Sequence, residues 1–406
     1  MTNTNNENII PLLNTVSKNE NISNPQYEIT YSMKKGDGYL SVIYDAKIKT
    51  DQNQEVLSVI TKISPENQIF REQTHIENVY KNEVLFYEEI YPAYCAFQKE
   101  KGLNLFDFAP KCYATTLESN KEALVLENLK DQGYKLWNRM VPMDANHIEF
   151  TLKAYGKLHG VSFAFKDQRR EMFDGFRSKI VDIFEDFSRN DLHLEVFNKL
   201  AENTVNFFDS IKDEKYVNKF KDYIKTMPDF TTKFASRNMD EYGVIGHGDC
   251  WCNNMMYKYG DPKNNLKPTE IRFIDYQIIR YGSPVTDFSH FFYTSSSKSE
   301  LDNIEYYRNI YYDELTATIK QLGSDPNELY PKSVFDAHWK KYCVNGLNVA
   351  LFLIRMMTTE AEEIPEYNDL SEAMNVVEKM SFEPKNDGYK ERVRDVVMHF
   401  YDKEYI

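Results

Sequence analysis

The chain has 406 residues, more than one hydrophobic core usually covers, so two unequal lobes or domains are expected. Hydrophobic residues make up 42% and charged residues 28%, a balance that excludes a disordered chain. Asp plus Glu number 63 against 49 Lys plus Arg, and the formal charge of -14 argues against nucleic acid and anionic membranes as partners.

In chain order, residues 1–26 are rich in Asn, Ser and Glu and read as a mobile tail. They lack the basic start and apolar core of a signal peptide, so a cytoplasmic protein is expected. Residues 27–128 form a strand-rich lobe. Tyr27–Met33, Leu40–Lys49 and Val56–Ile63 are rich in β-branched and aromatic residues, with Gly36-Asp37-Gly38 separating the first two. A long helix is expected over Thr74–Gln98, where Val79, Phe86 and Ile90 recur at helical spacing and Pro92 ends or kinks it. Strands resume at Phe108–Thr116 and Ala123–Glu127.

From residue 129 to 406 the pattern turns to amphipathic helices, first His147–Phe165, then several between Met172 and Phe234. Two short strands interrupt them, Met255–Tyr259 and Ile271–Tyr276, joined by the turn-rich Gly260-Asp261-Pro262-Lys263-Asn264-Asn265. Val344–Ile354 is the most apolar stretch, but it is about half the roughly 20 residues a membrane helix needs, so it reads as a core helix. Glu360–Glu366 reads as a solvated acidic face. Five cysteines, odd in number and mostly scattered, do not suggest a disulfide framework, and Cys250-x-Cys252 has no second pair to complete a zinc site.

The chemistry concentrates in His247-Gly248-Asp249-Cys250-Trp251-Cys252-Asn253-Asn254 and the later Ile274-Asp275. An Asp followed five residues later by an Asn lets one loop present a base to a hydroxyl while the amide oxygen meets Mg²⁺, and an Asp at the end of the next strand bridges that metal to nucleotide phosphates. Asp249 is thus the candidate base and Asn254 and Asp275 the candidate metal ligands, with His247 bracing the loop. In the strand-rich lobe, Lys62 on the third strand is placed to grip the α- and β-phosphates of ATP, held by Glu83 on the long helix or, second, by Glu77. Gly36, Gly38 and Ser41 form a short glycine-containing loop suited to covering phosphates. Leu126-Glu127-Asn128-Leu129 lies where strands give way to helices, so Glu127 and Leu129 are candidate backbone partners for adenine.

Taken together, these residues resemble the ecdysteroid kinase-like family, within the aminoglycoside and choline phosphotransferase group. The likeness is carried by His247-Gly248-Asp249-x-Trp251-x-Asn253-Asn254-x-Met256, by Phe273-Ile274-Asp275-Tyr276-Gln277 and Arg280-Tyr281-Gly282-Ser283-Pro284, and by Asp287. It continues through Tyr293-Thr294-Ser295, Gly133-Tyr134 and Leu158-His159-x-x-Ser162. The resemblance implies a two-lobed α/β (α+β) protein-kinase-like fold, with Asp249 as base, Asn254 and Asp275 on Mg²⁺, and Lys62 with Glu83 orienting ATP. It also implies that Asp287 is a structural acid under the catalytic loop. Trp251 stands where protein-serine kinases carry a Lys, Gln277 replaces the Gly of Asp-Phe-Gly, and the glycine loop ends in Ser41. The implied activity is transfer of the γ-phosphoryl group to a hydroxyl of a small lipophilic alcohol such as a steroid or xenobiotic. A choline- or ethanolamine-type kinase and a nucleotide-binding pseudokinase scaffold stay open as alternatives, as does the oligomeric state. Trp251, two residues past the base, is expected to face the acceptor and to favour an uncharged or cationic one, the alternative being a Trp packed into the core beneath the loop.

Overall fold

The computed structural model describes residues 4–32, 40–50, 54–183, 185, 191–209, 211–233, 238–261, 266–363 and 381–406. The N-terminal lobe is one antiparallel sheet in the order β1-β2-β3-β5-β4, built from β1 (Gln26–Tyr31), β2 (Val42–Lys49), β3 (Glu55–Ile63), β4 (Cys112–Thr116) and β5 (Ala123–Glu127). Alternation fixes its two faces, because successive side chains of a strand point oppositely. Val59 and Val125 belong to an outer cluster, while Leu124 and Leu126 join the main core.

Helix α1 (Thr4–Asn19) covers the outer face, which corrects the expectation of a mobile tail over residues 1–26. Ile9, Leu13 and Val16 are fully buried against Tyr44, Ala46, Ile48 and Val59. The abundance of Asn hides a stripe at i, i+3, i+4 and i+7, namely Ile9, Leu12, Leu13 and Val16, which is the signature of one apolar helical face. Tyr27 Oη donates to Asn14 Oδ1 at 2.6 Å and so ties α1 to β1.

Between β3 and β4 the expected single helix is divided. Helix α2 (Gln68–Gln73) is capped by Asn67, whose side chain accepts from the Phe70 amide, and His75 turns the chain in the left-handed region before α3 (Ile76–Leu85). A π-turn at Phe86–Ile90 leads into α4 (Tyr91–Glu100). Pro92 does not end the helix. It lies in the first turn of α4, just past the π-turn, where a residue without an N–H donor is tolerated.

The C-terminal lobe is helical around α5 (Ala145–Gln168), whose first turn is capped by Asp144 accepting from the His147 amide. Helices α6 (Arg170–Lys179), α7 (Asp191–Val205) and α8 (Glu214–Lys233) follow. Beyond the catalytic segment come α9 (Pro284–Ser295), α10 (Lys298–Asp302), α11 (Ile304–Gln321), α12 (Pro326–Leu329), α13 (Lys332–Tyr342), α14 (Val344–Thr358) and α15 (Asp387–Asp402). Gly160 of α5 permits close packing of α11, since a Cβ there would lie 2.7 Å from the Thr318 Cβ. Set into these helices are β6 (Lys135–Leu136), β8 (Met255–Tyr259) and β9 (Pro268–Phe273) as one small sheet, and β7 (Val244–Gly246) paired with β10 (Arg280–Gly282). No described helix is long and apolar enough to cross a membrane.

Candidate active site

Two short sheets deliver the site. Strand β7 ends at Gly246, and the next three residues, His247, Gly248 and Asp249, enter the catalytic loop. Gly248 adopts φ +83°, and a Cβ there would fall 1.9 Å from the Ile278 carbonyl oxygen, so only glycine allows the two backbones to approach. Asp287, buried on α9, accepts from the amides of His247 (2.7 Å) and Gly248 (3.2 Å) and pairs with His159 Nε2 at 3.2 Å. Burial alone would raise its pKa, but the hydrogen bonds and nearby imidazoles hold it down to about 2, so it is an ionised strut beneath the loop. His247 is buried and held neutral by that burial. Its Nδ1 accepts from the Asp249 amide at 3.2 Å and its Nε2 donates to the Ile274 carbonyl at 3.1 Å, joining the loop to the end of β9.

Asp249 is half-buried at the loop apex. Asn254 Nδ2 donates to its Oδ2 at 2.7 Å, and Trp251 Nε1 donates to the same oxygen at 3.3 Å. Both donors fix one carboxylate oxygen, which leaves Oδ1 as the atom able to take a proton. Burial and the nearby charge of Asp275 push its pKa up to about 7, against the pull of these hydrogen bonds. Trp251 differs from expectation. Its indole is buried in the main core, so it positions the carboxylate and does not offer an open face to an acceptor.

Asn254 follows in the same turn, and its carbonyl accepts from the Ile274 amide at 3.0 Å. With its amide nitrogen committed to Asp249, its Oδ1 is the atom suited to a hard cation. Asp275 adopts φ +68° and ψ +63°, a left-handed conformation that costs energy for a residue with a Cβ and often marks a functional position. Its Oδ1 lies 2.8 Å from Lys62 Nζ, and Lys62 in turn contacts both oxygens of Glu83 at 2.7 and 3.0 Å. Burial would lower the Lys62 pKa, but the charges of Asp275 and Glu83 outweigh it, and the lysine stays protonated. The pair is formed with Glu83, while Glu77 is exposed and faces Lys81 at 3.9 Å.

Three residues to which the sequence assigns no role in the site complete the arrangement. Gln277 bridges Asp275 and Lys62, its nitrogen 2.8 Å from Asp275 Oδ1 and its oxygen 3.3 Å from Lys62 Nζ. Tyr276 stacks on Phe86 with ring centroids 3.5 Å apart, joining the Asp275 turn to the helix segment beyond Glu83. Asn82, fully buried beside Glu83, donates to the carbonyls of Val181 (2.8 Å) and Gln277 (3.3 Å) and accepts from the Val181 amide at 3.0 Å. Only the chain's return in three dimensions reveals them. Gln277 alone carried a signal, as the departure from Asp-Phe-Gly.

Ser41 lies beside Lys62, its hydroxyl accepting from Tyr80 at 3.0 Å and meeting Gln277 at 3.2 Å, so it is bound to the interior. Gly36 and Gly38 fall outside the described residues. At the junction of the lobes the Glu127 side chain accepts from the Lys111 amide (3.2 Å) and from Gln132 (2.5 Å). Leu129 packs with Tyr134, Met256 and Ile274 in a small apolar cluster separate from the main core, directly preceding Asp275 in the last case. Among the described residues no group of three or more His, Cys, Asp or Glu is placed to hold a metal. Two oxygen ligands suit a cation that takes its remaining ligands from phosphates and water, as Mg²⁺ does.

The ecdysteroid kinase-like family model matches residues 35–324, from the segment before β2 to the turn after α11. Similar solved structures include a choline kinase from Cryptosporidium parvum Iowa II, 12% identical over 97% of each chain with a TM-score of 0.44. An aminoglycoside 2'-phosphotransferase-IIIa variant in complex with GDP is 11% identical, covering 90% of this chain and 95% of its own, with a TM-score of 0.43. No curated protein matches the chain. With a family match spanning most of both lobes and the whole catalytic segment, the chain belongs to the ecdysteroid kinase-like family and is a small-molecule phosphotransferase.

Proposed function

We propose that the protein transfers the γ-phosphoryl group of ATP to a hydroxyl of a small lipophilic alcohol, of steroid or xenobiotic type. The observation that carries this reading is Lys62, which bridges Glu83 of the N-terminal lobe and Asp275 of the C-terminal lobe. A lysine tied in this way is poised to exchange one carboxylate for a nucleotide phosphate while the other keeps it in place. Leu129, Tyr134, Met256 and Ile274 supply an apolar floor for the base, with the backbone at Glu127 and Leu129 as its edge. Asn254 and Asp275 are the residues that would hold Mg²⁺, which when bound supplies charge neutralisation across the phosphates.

The proton is handled by Asp249. Trp251 and Asn254 anchor Oδ2, so Oδ1 accepts the hydroxyl proton as the acceptor oxygen attacks phosphorus. A pKa near 7 matches that task, since a carboxylate so raised holds the proton more firmly than an ordinary one. None of the five cysteines is paired, which supports a reducing compartment, and we place the protein in the cytoplasm with a small-molecule acceptor as its partner.

The test is an ATP-consumption screen of purified protein against sterols, amino alcohols and phenolic glycosides, with Asp249→Asn as control. Turnover with a lipophilic alcohol that falls about 100-fold or more in the variant is expected. Turnover confined to amino alcohols would replace the acceptor class. Nucleotide binding without turnover on any acceptor would make the protein a scaffold.

A further inference from the structure

Asp275 presents its carboxylate from a left-handed backbone, φ +68° and ψ +63°, which a residue with a Cβ adopts at a cost. Its Oδ1 is fixed by two donors, Lys62 Nζ at 2.8 Å and the side-chain nitrogen of Gln277 at 2.8 Å. Among the described residues its Oδ2 accepts no hydrogen bond. One oxygen is thus anchored and the other is left to a cation. The two anchors are not equivalent. On the kinase reading, Lys62 is the one that a nucleotide phosphate draws away, whereas the uncharged amide of Gln277 has no such reason to leave.

Gln277 is itself held from behind. It is 3% exposed, and its side-chain oxygen accepts from the Ser41 hydroxyl at 3.2 Å as well as from Lys62 at 3.3 Å. Its neighbours set the direction of the amide, since a carboxylate accepts and an ammonium donates. Ser41 in turn accepts from the hydroxyl of Tyr80, a fully buried residue of α3, at 3.0 Å. The Gln277 carbonyl accepts from Asn82 Nδ2, also on α3, at 3.3 Å. When Lys62 turns to phosphate, the chain from Tyr80 through Ser41 to Gln277 loses none of its links, and the amide nitrogen keeps facing Asp275. The Gly of Asp-Phe-Gly offers no such donor.

We propose that Gln277 is a positioning residue for the metal site, keeping Asp275 aimed at Mg²⁺ once the nucleotide has taken Lys62, with Ser41 and Tyr80 fixing its amide. The proposal rests on the kinase reading above and deepens it. Ser41, at the end of the glycine loop, acts through this amide.

The test reads nucleotide binding, which needs no acceptor. Binding of a fluorescent ATP analogue is titrated at rising Mg²⁺ for wild type, for Gln277→Met, which keeps the volume and removes the amide, and for Ser41→Ala. In Gln277→Met the Mg²⁺ concentration at half-saturation is expected to rise about 10–100-fold, the worth of one hydrogen bond to a charged group. Ser41→Ala, which loosens the amide without removing it, is expected to raise it about 3–10-fold. Binding of the analogue in EDTA is expected to change little in either variant, because the Lys62–Glu83 pair is untouched. A packing role alone predicts a different split: binding weakened alike with and without Mg²⁺, a lowered Tm and an unchanged Mg²⁺ requirement. That result overturns the proposal. Should Gln277→Met not fold, Ser41→Ala decides, and an unchanged Mg²⁺ requirement there overturns it. Mg²⁺-dependent binding that is the same in all three proteins overturns this proposal and leaves the kinase reading standing. If wild type binds no nucleotide at all, the kinase reading falls and takes this proposal with it.

Discussion

Replacing Glu83 by Gln separates the structural role of the Lys62 pair from its chemical one. Glu83 is fully buried and presents both oxygens to Lys62 at 2.7 and 3.0 Å, and Gln preserves the volume while removing the charge. In the nucleotide-free protein Lys62 keeps its second carboxylate, Asp275 at 2.8 Å, so the lysine is not stranded. The lost charge-assisted bond, about 1–2 kcal/mol stronger than a neutral one, is partly offset because a carboxylate need no longer be buried. A net loss of about 1 kcal/mol is expected, a fall of about 4 °C or less in Tm. Turnover responds differently. Once Lys62 leaves Asp275 for phosphate, Glu83 is the one carboxylate it retains, and the full bond of about 2–3 kcal/mol is missed, lowering kcat/KM for ATP about 30–150-fold. Thermal unfolding and steady-state kinetics with varied ATP check both halves. A variant that loses stability heavily yet keeps kcat/KM within about threefold would refute the assignment of Lys62 as phosphate grip.

Trp251→Phe keeps the packing ring and removes the N–H that reaches Asp249 Oδ2. It should lower kcat about 3–10-fold with little change in KM for ATP or acceptor, because Asn254 still holds that oxygen at 2.7 Å. Leu13→Ala, at a fully buried position of α1, should cost about 2–4 kcal/mol in urea unfolding, whereas a mobile tail would show no effect. Two buried histidines should oppose folding on acidification. Burial holds His290 at a pKa of about 3 and His399 at about 4, so the folded protein stays unprotonated there while the unfolded chain takes up both protons below about pH 6.5. These depressed values cost about 4 kcal/mol by pH 5 relative to pH 8. Asp249, raised to about 7, takes up a proton in the folded state over the same range and returns about 2–3 kcal/mol, so urea midpoints at the two pH values should show a larger loss in Asp249→Asn than in wild type.

Strands with dense β-branched and aromatic residues were legible in the sequence nearly to the residue, as with Ala123–Glu127 and Met255–Tyr259. There, local propensity and tertiary demand coincide. Helix α1 was hidden because its stripe of four apolar residues sits among Asn and Ser, and mean composition outweighed periodicity. The division of the 74–98 helix was hidden because a π-turn leaves no composition mark. Asp249, Asn254 and Asp275 stood out because metal and proton chemistry restrict both residue type and spacing. The place of Trp251 in the loop is legible, but its burial is not, since burial depends on helices distant in sequence. Asn82 carries no motif at all, and its part emerges only where α3 meets residues 181 and 277.

Asn82 has a consequence for how the enzyme is governed. The neighbouring residue of Glu83 is stitched by three hydrogen bonds to backbone of the opposite lobe, and Tyr276 clamps the next turn of the same helix by stacking on Phe86. In kinases controlled by helix position, the glutamate swings away from its lysine and silences the enzyme. Here that swing would strand a fully buried amide together with two carbonyls and an amide N–H, and pull apart a stacked ring pair. The expected behaviour is therefore that of a catalyst left permanently switched on, whose output follows how much protein is made and how much acceptor arrives, and not an on-off signal delivered to the N-terminal lobe.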